Sequence, residues 1–202
     1  MSVNAFNVVK DFEETIAAYA GAKYGVSVLS CSDAIFLSCL YKRVKEVFIP
    51  KETYPSVPCG IINAGGSVKF TDEKWDGIYE LKPYGIIDGA LRFRKGMYIP
   101  GSLHCLSFHL KKLLPIGRGG MILTDDKDAY EWLKKARFDG RTEGAPLNQD
   151  NLTILGWNMY MSPDTAARGL WLFNMIKDKE FPDMKVSEQG YPDLSKFSIY
   201  TQ

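Results

Sequence analysis

Apolar and polar residues follow one another along this chain in blocks that predict strands and helices in turn. Short apolar runs that stop at a polar or turn residue predict strands at 24–29, 46–49, 67–70 and 84–87. Apolar residues at helical spacing predict helices at 8–19, 34–41, 54–64, 126–138 and 162–177. Strands that alternate with helices pack as an α/β sandwich around a mostly parallel sheet, and this is the fold class that we expect.

A different pattern occupies residues 103–124, where two apolar runs flank a glycine-rich turn. The runs 103–108 and 121–124 predict the paired strands of a hairpin. Lys111 and Lys112 lie between them, and a lysine held between two strands loses part of its solvation. Lost solvation lowers the pKa of the amine and makes it a nucleophile for carbonyl groups. These residues alone favour the plainer alternative, a solvated lysine pair beside a glycine-rich hairpin.

Polar side chains follow three of the predicted strands, at the edge of the sheet where ligands gather in open α/β folds. They are Ser30, Ser32 and Asp33 after the first strand, Thr53 and Tyr54 after the second, and Asp88 directly after the fourth. Ser32 opens a helix, and the free N–H groups at a helix start favour a phosphate. Asp88 would be partly desolvated and useful beside a cation, and Tyr54 offers a flat aromatic face.

These side chains, taken together with Ser107 and Lys112, match the parts of a pyridoxal phosphate site. Such a site needs a phosphate cradle, a carboxylate for a ring N–H⁺, an aromatic lid and a reactive lysine. Each residue also has a plain structural alternative, with Ser32 as a helix N-cap, Asp88 as a loop cap and Tyr54 as a core aromatic. The residues by themselves leave both alternatives open.

The length, composition and net charge of the chain limit the classes of function that it could have. With 202 residues, 46% apolar and 24% charged, the chain is an ordinary globular protein that most simply forms one domain. A formal net charge of +1 gives no reason to expect nucleic acid or an anionic membrane as partner. Without a membrane-length apolar run or a signal pattern, we expect a cytoplasmic location. The four cysteines and two histidines have no ligand spacing, so we expect no metal site.

Several short motifs follow one another in a specific order. The strongest are Ser107-Phe108-His109-x-x-Lys112 with Gly117-x-Gly119-Gly120, and Asn158-x-x-Met161-Ser162; Phe12-Glu13, Thr53-Tyr54 and Gly65-Gly66-Ser67-Val68-Lys69-Phe70 support them. In this order the chain resembles the DegT/DnrJ/EryC1/StrS sugar aminotransferases, a family of fold-type I pyridoxal phosphate-dependent transferases, from about residue 12 to 177. The resemblance implies a three-layer α/β/α sandwich like the large domain of those enzymes, over residues 1–178. A C-terminal tail, residues 179–202, would stand in place of most of the small domain, as in a truncated member.

The resemblance also implies roles at matching positions. Lys112, in preference to Lys111, would hold pyridoxal 5′-phosphate covalently, and Asp88 would keep the pyridine nitrogen protonated. These two are the expected catalytic residues. The expected cofactor-binding residues are Ser32, Asp33, Tyr54, Asp88, Ser107, Lys112 and Asn158. Asn158 would reach the phosphate of a neighbouring subunit, which implies a homodimer with shared active sites.

The sequence departs from the family pattern at positions that bear on catalysis. Asp33 brings a negative charge to the phosphate cradle, Leu91 stands where a Gln or His usually contacts the ring hydroxyl, and Arg118 replaces a glutamate. Two hypotheses therefore stay open, and the sequence does not decide whether the chain is an enzyme. The first is an aminotransferase that moves an amino group from glutamate to a nucleotide-linked keto-sugar. The second is a non-catalytic, dimeric scaffold or binding homologue.

Overall fold

The computed structural model describes residues 4–200 and divides them into helices, strands and short turns. The α-helices are α1 Asn7–Ala20, α2 Cys31–Lys42, α3 Ser56–Asn63, α4 Lys127–Ala136 and α5 Pro163–Ile176. The strands are β1 Tyr24–Val28, β2 Glu46–Pro50, β3 Ser67–Thr71, β4 Tyr79–Leu81, β5 Ile86–Asp88, β6 Leu103–Ser107 and β7 Gly120–Thr124. Short 3-10 turns lie at Leu147–Gln149, Val186–Glu188, Leu194–Lys196 and Ser198–Tyr200.

The strands form a five-stranded sheet in the order β1-β7-β6-β5-β4 and a two-stranded sheet of β2 and β3. An isolated bridge joins the two sheets, because Phe48 of β2 and Lys82 next to β4 exchange backbone hydrogen bonds of 3.0 and 3.1 Å. Within residues 4–200, five strands run in one direction, and only β4 and β7 run against them. The prediction of an α/β fold is confirmed, and the sheet is mixed: within residues 4–200, β5–β6 and β2–β3 pair in parallel, whereas β1–β7, β6–β7 and β4–β5 pair antiparallel.

Helices cover both faces of the sheet, so the fold has three layers. One apolar cluster packs α2, α3 and α4 against one face, and a second packs α1 and α5 against the other. Strand β7 contributes to both, because Met121 and Leu123 belong to the second cluster and Ile122 to the first. Successive strand residues point to opposite faces, which explains why a strand covered on both sides is apolar throughout. No helix within residues 4–200 is long and apolar enough to cross a membrane.

The predicted and observed elements differ most between β3 and β6. The sequence predicts a strand over 84–87 with Asp88 beyond its end, whereas Asp88 is the last residue of β5. The structure also contains β4, which the sequence analysis misses because three residues are too few to show alternation. Strand β4 runs antiparallel to β5 and places Tyr79 opposite Asp88. The hairpin of β6 and β7 is predicted correctly, since the two strands are antiparallel neighbours.

The C-terminal tail lies along the loops at one edge of the sheet. Asp183 accepts two hydrogen bonds from Arg92, at 2.8 and 2.5 Å. Farther along, the Leu194 N–H donates to the Lys51 carbonyl at 2.9 Å, and the Leu194 side chain is only 2% exposed. Lys51 directly follows β2 and Arg92 lies shortly after β5. The tail therefore spans the carboxyl ends of both strands.

A buried ionic cluster fixes the strand that leads into α2. Glu13 of α1 accepts hydrogen bonds from the N–H and the hydroxyl of Ser27 in β1, both at 2.8 Å, and another from Arg137. Lys134 pairs with Glu13 at 3.0 Å and with Glu143 at 2.7 Å. Arg137 is fully buried and pairs with Glu143 as well. The cluster thus ties α1 and α4 to β1.

Replacing Arg137 with alanine is expected to lower the free energy of unfolding by about 3–5 kcal/mol, because the Glu13 carboxylate stays buried without one of its cations. Urea denaturation measures the change. The control is Lys10→Ala, which removes an exposed pair with Glu14 on α1 and should cost less than about 1 kcal/mol. Equal effects of the two substitutions would show that the cluster does not stabilise the fold.

Candidate active site

A cavity of about 490 Å³ opens at the carboxyl ends of the strands. Five of the residues expected to bind the cofactor line it, namely Ser32, Tyr54, Asp88, Ser107 and Lys112. They follow or end β1, β2, β5 and β6, so the parallel direction of these strands brings distant parts of the sequence to one edge. The edge is the one where open α/β sheets bind their ligands.

The start of α2 forms one part of the cavity. Ser30 is its N-cap, and the side-chain oxygen accepts the Asp33 N–H at 3.2 Å. The Ser32 hydroxyl follows in the first turn and lies 2.6 Å from the hydroxyl of Ser56, which starts α3. Gly120 of β7 permits a close approach, because a Cβ there would lie 2.4 Å from the Ser30 carbonyl carbon. First-turn N–H groups beside hydroxyls are donors suited to a phosphate.

Asp88 is a buried carboxylate, 3% exposed. Its Oδ1 accepts the Ala90 N–H at 3.0 Å and lies 4.0 Å from the Cys31 thiol. Burial raises the pKa of the Asp88 carboxyl, although the Ala90 N–H, the Tyr79 hydroxyl and the Lys112 charge favour its ionised form. It forms no ion pair with a residue of the described range 4–200. A buried carboxylate without a counter-ion is costly, so this position suits a ligand with positive charge.

Lys112 lies in the turn that leaves β6, where its N–H donates to the His109 carbonyl at 2.8 Å. Its side chain is partly buried, and burial lowers the pKa of the amine, while the charge of Asp88 opposes this shift. A lowered pKa leaves more of the amine in the neutral, nucleophilic form. Lys111 beside it is exposed. The structure therefore singles out Lys112 as the shielded amine of the pair.

Aromatic rings form a wall of the cavity. Tyr54 is 57% exposed, and its ring meets that of Tyr191 in the tail edge-on at 6.1 Å. Trp75 lies nearly parallel to Tyr191 at 6.5 Å and meets Tyr79 edge-on at 4.5 Å. The Tyr79 hydroxyl lies 2.7 Å from that of Thr53. The loop after β2, the segment from β3 to β4 and the C-terminal tail thus build this wall together.

Comparison with known proteins decides the family. The sequence profile of the DegT/DnrJ/EryC1/StrS aminotransferase family matches residues 3–81 and 98–180, which is most of the chain. The chain belongs to this family. The matched segments contain Ser32, Tyr54, Ser107, Lys112 and Asn158, and the family is one of aminotransferases.

Individual relatives agree with this assignment. The spore coat polysaccharide biosynthesis protein SpsC of Bacillus subtilis (strain 168) is 23% identical over 214 residues, covering 83% of this chain and 50% of SpsC. The structure of DesV from S. venezuelae has a TM-score of 0.69 at 19% identity, covering 83% of this chain and 56% of DesV. NtdA from Bacillus subtilis, solved with bound cofactor PMP, has a TM-score of 0.67 at 17% identity, with coverages of 81% and 47%. The chain spans about half the length of the curated relative it matches, and the structural likeness shows a shared fold.

The DegT/DnrJ/EryC1/StrS profile leaves out residues 82–97, which include Asp88 and Leu91. The case for Asp88 as a site residue therefore rests on its burial and its position in the cavity, and not on the family profile. Leu91, in contrast, is fully buried and does not line the cavity. Its carbonyl accepts the Met184 N–H at 2.9 Å, so the tail packs over this position. Leu91 provides packing and no polar contact to a ligand.

Two residues expected to bind the cofactor in a DegT/DnrJ/EryC1/StrS protein lie outside the cavity of this chain. The Asp33 carboxylate accepts the Ser30 hydroxyl at 2.7 Å, so it is engaged at the helix cap and does not reach the cavity. The Asn158 side chain is exposed and donates to Asp139 at 3.2 Å. An Asn158 outside its own cavity is compatible with a contribution to a second subunit. The cofactor-binding roles of both residues stay predictions.

Several residues that line the cavity were not assigned to it by sequence reasoning; they include Ser56, Trp75, Arg118, Gln189 and Tyr191. Ser56 and Arg118 adjoin predicted motifs, a helix start and the glycine-rich turn, and could be found from these. None of the motifs recognised in the sequence contains Trp75, Gln189 or Tyr191, although Trp75 lies within a segment that the family profile matches. Only the aromatic content of the tail gave a signal that it packs against the protein.

Proposed function

We propose that this chain binds pyridoxal 5′-phosphate and transfers amino groups, with glutamate as donor and a nucleotide-linked keto-sugar as acceptor. The observation that carries the proposal is the pair formed by a buried carboxylate, Asp88, and a partly buried amine, Lys112, in one cavity. The charge of each shifts the pKa of the other toward its ionised form. Membership of an aminotransferase family supports the same conclusion.

The residues of the cavity fit this cofactor. A protonated pyridine nitrogen would give Asp88 a directly paired cation, which no residue within 4–200 supplies although the charge of Lys112 acts on it from the same cavity. The first-turn N–H groups of α2, with the hydroxyls of Ser32 and Ser107, suit the phosphate. The volume of about 490 Å³ lies within the usual range for cofactor pockets.

When bound, pyridoxal phosphate supplies an electron-withdrawing ring that makes the Cα proton of an amino donor removable. Lys112 would accept that proton at Nζ and return it, a role supported by the burial that lowers the pKa of its amine. Asp88 stabilises positive charge next to its carboxylate and is shielded from water by burial. The backbone hydrogen bonds to His109 and from Ala90 hold these two residues in place.

Basic residues outnumber acidic ones in the lining of the cavity, which supports an acidic amino donor. His109, Lys111 and Arg118 line it, whereas Asp88 is the one carboxylate among the lining residues of the described chain. Arg118 is exposed and forms no ion pair with any residue between 4 and 200. An unpaired guanidinium binds a carboxylate through two parallel hydrogen bonds. Glutamate, with its second carboxylate, therefore fits this cavity better than a neutral amino acid.

We further propose a two-fold homodimer in which Asn158 of each subunit contributes to the other subunit's site. Asn158 is exposed, and the segment before it presents Leu152 and Leu155, which are 59% and 85% exposed. Exposed apolar side chains in one segment are typical of a surface that a partner covers. Sedimentation at micromolar concentration is expected to give the mass of a dimer. A monomer that still binds the cofactor tightly would contradict the shared site.

The half-reaction with glutamate tests the proposed function. Protein loaded with pyridoxal phosphate is mixed with glutamate, and 2-oxoglutarate is measured in a single turnover. Release of 2-oxoglutarate in proportion to bound cofactor is the expected result. Bound cofactor with no 2-oxoglutarate would favour the second hypothesis, a non-catalytic dimeric scaffold. That hypothesis is supported by the tail, because Tyr191 and Gln189 line the cavity and occupy space that a large sugar nucleotide would need.

A further inference from the structure

Two sets of contacts hold the C-terminal tail over the cavity. On one side the Val186 N–H donates to the Asp76 carboxylate at 2.8 Å. On the other side the Leu194 N–H donates to the Lys51 carbonyl at 2.9 Å, and the Leu194 side chain is buried. Residues 187–193 lie between these anchors, and Gln189 and Tyr191 among them line the cavity. The tail is therefore part of the site and does not merely lie near it.

Of the two tail residues that line the cavity, Tyr191 is the one whose side chain makes no hydrogen bond within residues 4–200. Its ring is fixed between Tyr54 and Trp75, at 6.1 and 6.5 Å. Its hydroxyl has no hydrogen-bond partner in the described part of the chain, whereas the Gln189 amide donates to the Lys185 carbonyl at 3.2 Å. A ring held by its neighbours keeps its hydroxyl in one place, which favours a hydrogen bond to a ligand.

The chemistry around Tyr191 makes its hydroxyl a donor. Burial raises the pKa of the Tyr191 phenol, and the charge of Asp88 adds to this effect, so the group stays protonated at neutral pH. Tyr191 and Asp88, the carboxylate expected to meet the cofactor ring, line the same cavity. Leu91, by contrast, is fully buried and offers no polar atom to the cavity.

We infer that Tyr191 completes the cofactor site from within the same chain, with its ring as a cover and its hydroxyl as a hydrogen-bond donor to an oxygen of the bound cofactor. Only the second half of the inference, the hydrogen bond to the cofactor, rests on the proposed function. The cover itself is a property of the protein without cofactor. The two halves can therefore be tested separately.

The cover is tested by the alkylation rate of Cys31 in cofactor-free protein, followed by peptide mass spectrometry. Cys31 lines the cavity and is 8% exposed, so its rate reports access to the cavity. Tyr191→Ala is expected to raise this rate about tenfold or more, whereas Tyr191→Phe keeps the ring and should leave it unchanged. The matched control is Tyr200→Ala, because Tyr200 is also an aromatic residue of the tail but packs against Phe70 outside the cavity. An unchanged rate in Tyr191→Ala would overturn the cover.

The hydroxyl is tested by titration of the same variants with pyridoxal phosphate. Tyr191→Phe is expected to weaken binding about fivefold, the effect of one hydrogen bond, and Tyr191→Ala to weaken it further. Tyr200→Ala should bind as the wild type does. Wild-type affinity in Tyr191→Phe would overturn the inference. Tighter binding in Tyr191→Ala would overturn it as well, because it would show that the tail obstructs the site. A wild-type protein that binds no cofactor would refute the proposed function, and the Cys31 rate would still decide the cover.

Discussion

Replacing Lys112 with alanine is expected to abolish covalent attachment of pyridoxal phosphate and to lower the rate of amino transfer from glutamate by at least about 10⁴-fold. The effect is large because one amine is proposed to serve twice, as the attachment point and as the group that carries the Cα proton. Its partial burial and lowered pKa fit both tasks. Single-turnover formation of 2-oxoglutarate measures the rate, and absorbance of the bound cofactor measures the attachment.

Lys111→Ala is the matched control for this substitution. Lys111 is the adjacent residue and carries the same side chain, but it is exposed. The variant is expected to keep covalent attachment and most of the rate. If Lys111→Ala lost attachment and Lys112→Ala kept it, the assignment would be shifted by one residue. If neither variant changed the rate, any activity of the protein would arise elsewhere.

Replacing Asp88 with alanine is expected to lower the rate of the half-reaction by about 10²–10³-fold, the usual effect of losing one buried electrostatic contact to a reacting group. Cofactor binding should weaken as well, since the ring nitrogen loses its carboxylate partner. The comparison variant is Asp33→Asn, which removes a carboxylate near the same helix start but outside the cavity. Because the Asp33 carboxylate is engaged at the helix cap, we expect Asp33→Asn to bind the cofactor with wild-type affinity; weaker binding would instead support the cofactor-binding role that the sequence predicts for Asp33. Unchanged turnover in Asp88→Ala would refute the role assigned to Asp88.

The burial of Asp88 also leads to a prediction about the stability of the protein without cofactor. Burial raises the pKa of its carboxyl in the folded state above the ordinary value of 3.8. The contribution of Asp88 to the free energy of unfolding is therefore fully present at a pH below the ordinary, unfolded-state pKa. It is lost as the pH rises through the folded-state pKa, because the buried carboxyl then becomes charged. Asp88→Asn removes this titration, so the cofactor-free variant should be more stable than the wild type at pH 7. Urea denaturation at pH 7 with and without pyridoxal phosphate tests this, because bound cofactor should reverse the ranking.

The sequence predicts those structural features that depend on residues close to one another along the chain. A short hydroxyl side chain before an apolar helical run predicts a cap for α2, and the structure places that cap at Ser30 and puts Ser32, the cap considered from the sequence, in the first turn. The hairpin that carries Lys112 follows from two apolar runs around glycines. Ser107 and Asp88 reach the cavity because each ends a strand that points to the same edge. Local pattern and strand direction are sufficient for these features.

Other features depend on contacts between distant residues and have no local pattern. The buried cluster joins Glu13 to Arg137, which are 124 positions apart, and only the folded chain shows that both are buried. Strand β4 is too short to leave a periodic signal, so Tyr79 is not expected beside Asp88. Tyr191 reaches the cavity because ion pairs and backbone bonds anchor the tail on both sides of it. Composition indicates aromatic residues in the tail but not the place where they pack.

The central claim is that Lys112, facing Asp88, holds the cofactor, and borohydride reduction tests it most directly. Wild-type protein is saturated with pyridoxal phosphate, its visible absorbance is recorded, and borohydride then fixes any covalent link before digestion and peptide mapping. We expect a visible band that disappears on reduction and a single pyridoxyl label on Lys112. A label on Lys111 or on scattered lysines, or no label at saturating cofactor, would contradict the account.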